Sequence, residues 1–332
     1  MSQKVITILG ENIEPGKSYE LNFDVAKLHT ASSIDVPIII ERAKKAGPTV
    51  LLTAGIHGDE LNGIEIVRQL IAKGINKPKC GTIICIPIIN IFGFINLSRE
   101  FPDGRDLNRV FPGLKNGSLA SRVAYKLVNE VLNQADYVLD FHTGGAGRFN
   151  APQVRIAKNS NRLDALAKTF GAPFVLYSKN LKKSFRETAY KAGIATLLFE
   201  GGKSHHIDIN ITNTGVNGAK RVLHSLGMLG SKFKVSEPKQ KPVFIMASKW
   251  QRASYSGMFK ASVTTGTKVK KDDILGNITD PYGKFNHFVR AESSGYIINA
   301  NESPLVYQGD ALFHITARLK QHSIKQIEND EI

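Results

Sequence analysis

The chain has 332 residues, 42% of them hydrophobic and 22% charged, the balance of a globular protein with a core rather than of a disordered or fibrous chain. Lys and Arg number 44 against 29 Asp and Glu, a formal net charge of +15, which admits an anionic partner but fixes no fold. No stretch approaches the ~18 consecutive apolar residues of a membrane span and Met1-Ser2-Gln3-Lys4 opens no basic-then-apolar leader, so a protein of the reducing cytoplasm, one or two domains long, is the expectation.

Residues 49–56 (TVLLTAGI) read as a buried strand. Leu61, Ile64, Val67, Leu70 and Ile71 follow at the spacing of one helix face, which Gly74 ends. Residues 82–89 (TIICIPII) form a second strand, placed at an edge or bent by Pro87. Cys80 and Cys85 stand at its entrance and within it and read as reduced core thiols. They have no nearby His for a zinc finger, and a disulfide along one strand is geometrically disfavoured.

Ser118 is placed to cap a helix that turns Ala120, Val123, Ala124, Leu127 and Val131 inward. A strand over 137–141 follows, then a short helix on Leu163, Leu166, Ala167 and Phe170. Strands over 173–177 and 194–199 and a helix over 216–226 complete the series. Strands alternating with helices predict an α/β fold, a mostly parallel mixed sheet with helices on both faces.

Residues 232–241 (KFKVSEPKQK) are polar and aperiodic and read as a linker. Residues 1–240 hold 32 Lys/Arg against 20 Asp/Glu, and residues 241–332 hold 12 against 9. Beyond the linker, short apolar runs are cut by Thr265-Gly266, Tyr282-Gly283, Ser294-Gly295 and Gln308-Gly309, the texture of a small all-β module over 241–320. A polar tail, 321–332, is expected to fray.

Open parallel sheets bind ligands at the carboxyl ends of their strands. The first strand ends in His57-Gly58-Asp59-Glu60, where an imidazole and a carboxylate three residues apart converge on one ion. His142, in Asp140-Phe141-His142, would complete a His₂Glu set with a fourth position open for water. Glu200 ends a third apolar strand, and a carboxylate beside such a site is the usual general base of metal-assisted hydrolysis. Between them, the Gly/Pro-rich loop 101–113 carries Arg105, Asn108 and Arg109, suited to gripping a carboxylate. Singly, each has a plainer reading: a satisfied core histidine, a first-turn acid, a turn residue, surface charge. Their joint arrival at strand ends favours a site.

The order His57-x-x-Glu60, Asp106-Leu107-Asn108-Arg109, His142 and Glu200 resembles the succinylglutamate desuccinylase/aspartoacylase family, of the zinc carboxypeptidase-like superfamily, over about residues 45–230. That resemblance implies one zinc ion per chain on His57, Glu60 and His142, with Glu200 as general base. It implies Asp106 orienting the first ligand histidine, and Asn108 and Arg109 holding a substrate carboxylate. Arg105 is the candidate for polarising the scissile carbonyl, with Arg99 competing. The implied activity is removal of an acyl group from a small anionic N-acyl amino acid. The alternatives are carboxypeptidase-like cleavage of a peptide or glutamyl tail, and a catalytically silent binding protein on the same fold.

Gly257-Met258, Gly266 to Lys271, Leu275-Gly276, Ser294 to Ile297 and Gly309 to Leu312 are spaced like a lipoyl/biotinyl-type hammerhead, without a Met-Lys-Met carrier sequence. A module capping the catalytic domain is the reading. Relatives donate a tyrosine from this region, for which Tyr307 is the candidate and Tyr255, Tyr282 and Tyr296 are rivals. The basic residues are scattered and form no nucleic-acid motif, so an anionic substrate rather than nucleic acid accounts for the charge. An oligomer is compatible with this reading. His205-His206 reads as an exposed loop pair.

Overall fold

The computed structural model describes residues 4–320 apart from Leu28, so the tail 321–332 lies outside the described residues. Strands β1 (Thr7–Ile8) and β2 (Glu11–Asn12) pair with each other ahead of a long hairpin, β3 (Ser18–Lys27) and β4 (Ser33–Arg42). Then come β5 (Thr49–Ala54), α1 (Leu61–Ala72), β6 (Thr82–Ile86), α2 (Ile91–Ile95), α3 (Leu119–Glu130) and β7 (Tyr137–Gly144). Next are β8 (Arg148–Ile156), α4 (Asn161–Phe170), β9 (Phe174–Tyr177), α5 (Phe185–Lys191), β10 (Ala195–Lys203) and α6 (Ile209–Ser225). Residues 232–241 hold no helix or strand. The chain then runs as β11 (Val243–Arg252), β12 (Gly257–Ala261), β13 (Lys268–Val269), β14 (Ile274–Thr279), β15 (Asn286–Arg290), β16 (Gly295–Asn301), β17 (Leu305–Val306) and β18 (Ala311–Leu319).

Twelve strands form one sheet in the order β13-β16-β18-β11-β9-β8-β10-β7-β5-β6-β4-β3. Parallel pairing is confined to its middle: β6, β5, β7 and β10 run together, and β9 is parallel to β8 and to the start of β11. The remaining pairings in this sheet are antiparallel. The sheet is therefore mixed, and the expectation of a mostly parallel one needs correcting. A parallel pair requires a long crossover, whereas the short connection 145–147 turns the chain straight back, so β8 runs against β10.

Strand alternation divides the core into two layers. Val50, Leu52 and Ala54 of β5 face a cluster with Ile66 of α1, Phe170 of α4 and Val222 of α6. Leu51, between them, faces the opposite cluster with Val123 and Leu127 of α3 and Phe185 of α5. Helices thus cover both faces. Ser118 Oγ accepts from Ser121 N as the cap of α3. Both cysteines are free; Cys85 is buried, and burial pushes its thiol pKa up.

The C-terminal strands do not stand apart. β11 continues the large sheet beside β9, and β16 pairs with both β18 and β8. A separate four-stranded sheet, β15-β14-β12-β17, covers its own core of Phe259, Leu275, Ile278, Leu312 and Phe313.

Candidate active site

Three parallel strands bring the chemistry to one edge. Gly55 takes φ +64° at the end of β5, turning the chain out of the strand before His57. A Cβ at Gly58 would lie 1.8 Å from the carbonyl carbon of Gly93, so only glycine lets this loop pack on α2. Glu60 precedes α1 but its side chain caps nothing. It turns inward instead, with Oε1 2.6 Å from His57 Nδ1 and Oε2 2.9 Å from His142 Nδ1. All three side chains are buried, and their ligand atoms lie within 4.8 Å of one another. Among the described residues this is the group of His, Cys, Asp and Glu that could hold a metal ion.

Each ring is backed on its far nitrogen. His57 Nε2 is 3.1 Å from Asp106 Oδ1, and His142 Nε2 is 2.9 Å from Asp140 Oδ2. Thr53 Oγ1 donates to Asp140 Oδ1 at 2.8 Å. The same Asp106 oxygen accepts from Asn108 N at 2.8 Å, capping the 3₁₀ turn Leu107–Arg109. Burial works against a proton on either histidine, yet Glu60 between the rings and the aspartates behind them outweigh it. Both histidines are held above their ordinary pKa, and Glu60 well below the usual carboxylate range. Two imidazoles and one carboxylate form the donor set, and two outer carboxylates back it, so the cluster demands positive charge at its centre and these residues fit a divalent cation.

Glu200 lies in β10 opposite His142 of β7. Its Oε2 accepts from Asn150 Nδ2 at 2.8 Å, and its Oε1 is 3.3 Å from Arg155 Nη1. A cavity of about 780 Å³ opens over these groups, and Asn108, Arg109, Arg148, Arg186, Trp250 and Asn299 also line it. Asn108 Oδ1 accepts from Phe185 N at 2.9 Å, which leaves its Nδ2 as the group offered to a ligand. Among the described residues Arg109, Arg148 and Arg186 pair with no carboxylate. They reach Asn108 O, Gly145 O, and Ser178 Oγ with Lys179 O. Burial and neighbouring Arg155 bring Arg186 down to about 10.

The two arginines left open by the sequence separate here. Arg105 is exposed, pairs with Asp103 at 3.3 Å and does not line the cavity. Arg99 holds Asp106 Oδ2 at 2.8 Å and sets Nη1 3.2 Å from His57 Nδ1 and 3.6 Å from Glu60 Oε1. Gly104 takes φ +74° just before Arg105. Tyr307 is 77% exposed and also lies outside the cavity lining. The C-terminal strands contribute Trp250 and Asn299 instead. His205 reaches the cavity rim, where its Nε2 meets Leu97 O at 2.8 Å. Sequence reasoning passed over Asp140 as a partner of His142, although Asp-x-His on a strand puts both side chains on one face. Arg155 and Asn150 came from β8, a strand it did not anticipate.

The family model of the succinylglutamate desuccinylase/aspartoacylase catalytic domain matches residues 46–226. The chain belongs to that family. It is 27% identical over 296 residues to an N-alpha-acetyl-L-2,4-diaminobutyric acid deacetylase from Halomonas elongata, covering 84% of this chain and 85% of that relative. Among solved structures, the succinylglutamate desuccinylase/aspartoacylase from Rhodobacter sphaeroides superposes with a TM-score of 0.79 at 24% identity, covering 91% of this chain and 95% of that one. The product-bound ectoine utilization protein EutE (DoeB) from Ruegeria pomeroyi gives 0.81 at 22%, covering 96% and 100%. These two likenesses establish a shared α/β fold.

Behind the cavity, His314 of β18 stacks on Trp250 at 4.4 Å and 5°, with Nδ1 buried and without a partner among the described residues. Burial, aided by Arg155, pushes its pKa down to about 4. The unfolded chain therefore takes up this proton at a higher pH than the folded one, and stability falls as pH drops from about 6.5 towards 4. Denaturant titration at pH 7 and pH 5 is expected to show about 2 kcal/mol of loss from this group. The pH 7-to-5 loss should be smaller by about that amount in His314→Phe than in the parent, and an equal loss in the two proteins would count against it.

Proposed function

We propose that the chain hydrolyses the amide bond of a small anionic N-acyl amino acid, with one zinc ion held by His57, Glu60 and His142. The observation that carries this reading is the buried His–Glu–His donor set facing Glu200 across one cavity, in a chain of this family. The named activity of the Halomonas relative supports a deacylase. Residues 1–240 form the proposed catalytic unit, and residues 241–320 wall its cavity.

When bound, such an ion polarises a carbonyl and lowers the pKa of a water. This chain's residues do the rest. Glu200 accepts the proton of the attacking water and returns it to the departing amine, a role that its position beside His142 allows. Asn108 Nδ2 and Arg109 hold the substrate carboxylate, and Arg148 and Arg186 add two guanidiniums that have no carboxylate partner of their own. Five arginines and five carboxylates line the cavity. Selectivity for an anion therefore comes from which arginines stay unpaired, not from a broad positive field.

We assign carbonyl polarisation to Arg99 rather than Arg105, because donors count only where the oxyanion develops. Arg99→Ala is expected to lower kcat by about 10²-fold or more, while Arg105→Ala stays within about twofold. Equal losses in the two variants would overturn the assignment. The function itself is tested with zinc-loaded protein on N-acetyl and N-succinyl amino acids, with a C-terminal glutamyl peptide as the competing class. Release of free amino acid supports the deacylase, cleavage of the peptide alone supports the carboxypeptidase reading, and no turnover would sink both.

A further inference from the structure

The carboxylate of Glu200 is held by a chain of amides that begins in the C-terminal half. Asn150 Nδ2 donates to Glu200 Oε2 at 2.8 Å. Asn150 Oδ1 in turn accepts from Asn299 Nδ2 at 2.8 Å and from Gln153 Nε2 at 3.3 Å. Asn150 sits on β8 between its register partners, Gly202 of β10 and Asn299 of β16. Asn150 and Asn299 are 3% exposed, and Gln153 is fully buried.

A primary amide has two nearly isosteric ends, one donating and one accepting. If Asn150 turned over, its oxygen would face the Glu200 carboxylate, acceptor against acceptor. Donation from both Asn299 and Gln153 to Asn150 Oδ1 favours the orientation that turns Nδ2 to Glu200. The arrangement is costly as a scaffold, because Asn299 Oδ1 and Gln153 Oε1 are buried without a protein partner among the described residues, and each buried unpaired acceptor opposes folding. An apolar pair would fill the same space without that cost.

We propose that Asn299 and Asn150 are positioning residues that lock the orientation of the Glu200 carboxylate, so that the C-terminal β strands belong to the catalytic machinery and do more than wall it. The proposal rests on Glu200 being the proton acceptor. The lock acts on one rotamer, so it affects the chemical step and not substrate capture, which lies with Asn108 and Arg109.

The experiment compares Asn150→Ala, Asn299→Ala and the near-isosteric Asn299→Leu in zinc-loaded full-length protein, following kcat, KM, zinc content and melting temperature on the best acyl amino acid of the panel. Expected are a fall in kcat of about 10²-fold for Asn150→Ala and about tenfold for either Asn299 variant. KM should stay within about twofold, with full zinc content. Melting temperature should hardly move for Asn299→Leu, which removes an unpaired acceptor together with the donor. In a Glu200→Gln background the Asn299 substitutions should cost no further turnover. Unchanged kcat would overturn the lock, as would a rise in KM alone, or a kcat loss that tracks lost zinc or lost fold. Normal turnover by Glu200→Gln on its own would remove the proton-acceptor reading and the lock with it.

Discussion

Glu200→Gln is expected to lower kcat by about 10³-fold, within the 10²–10⁴ range that a positioned general base supplies, while zinc content and melting temperature stay near those of the parent. The substitution is nearly isosteric. Its amide oxygen can still accept from Asn150 Nδ2, which reaches Glu200 Oε2 at 2.8 Å, so the local fold has no reason to rearrange. Glu200 is not among the three grouped donor side chains, so metal binding should survive. What disappears is a carboxylate beside His142 that is committed neither to the donor set nor to the back of a ligand ring. Arg155, 3.3 Å from Glu200 Oε1, loses its ion partner and adds some loss of its own. Arg155→Gln measured alongside separates the two. Turnover of Glu200→Gln within tenfold of the parent would dismiss it as the base and leave the carboxylate a structural partner for Arg155.

The site was more legible than the sheet that carries it. His57, Glu60, His142 and Glu200 stood out because each follows an apolar run, and strand ends gather ligand groups whatever the remaining topology. Sheet direction was not legible in that way. It depends on crossover length, and the turnback at 145–147 and the N-terminal hairpin carry no helical period to announce it. β3 alternates on a half-solvated edge and β8 mixes polar with apolar positions, so neither gives the continuous apolar run that marks a central strand. Missing β8 also hid Asn150 and Arg155. Arg105 and Arg99 could not be told apart by spacing, since which guanidinium reaches His57 depends on how the loop folds and not on residue order. Asp106 was found through the motif around it, whereas Asp140, two residues from His142 on the same strand face, needed only the pleat.

His142→Ala is expected to leave purified protein with less than about a tenth of an equivalent of zinc and no measurable turnover, because a three-donor site reduced to two loses most of its affinity. Asp140→Asn is the sharper companion. It leaves the donor set whole and changes only the group behind His142 Nε2, now a carboxylate at 2.9 Å whose other oxygen is fixed by Thr53. Loss of such an outer partner typically costs 10–100-fold in metal affinity or activity, so Asp140→Asn should bind zinc more weakly yet recover turnover when zinc is supplied in excess, which His142→Ala should not. The direction of the pH effect is fixed as well. Both histidines are held above their ordinary pKa by the surrounding carboxylates, and protons compete with the ion for the same nitrogens. Affinity should therefore rise with pH, and binding at neutral pH should release protons, seen as buffer-dependent heats in calorimetry. A full equivalent of zinc retained by His142→Ala would place the ion elsewhere in the cavity. Buffer-independent heats would show that the rings are already neutral before it binds.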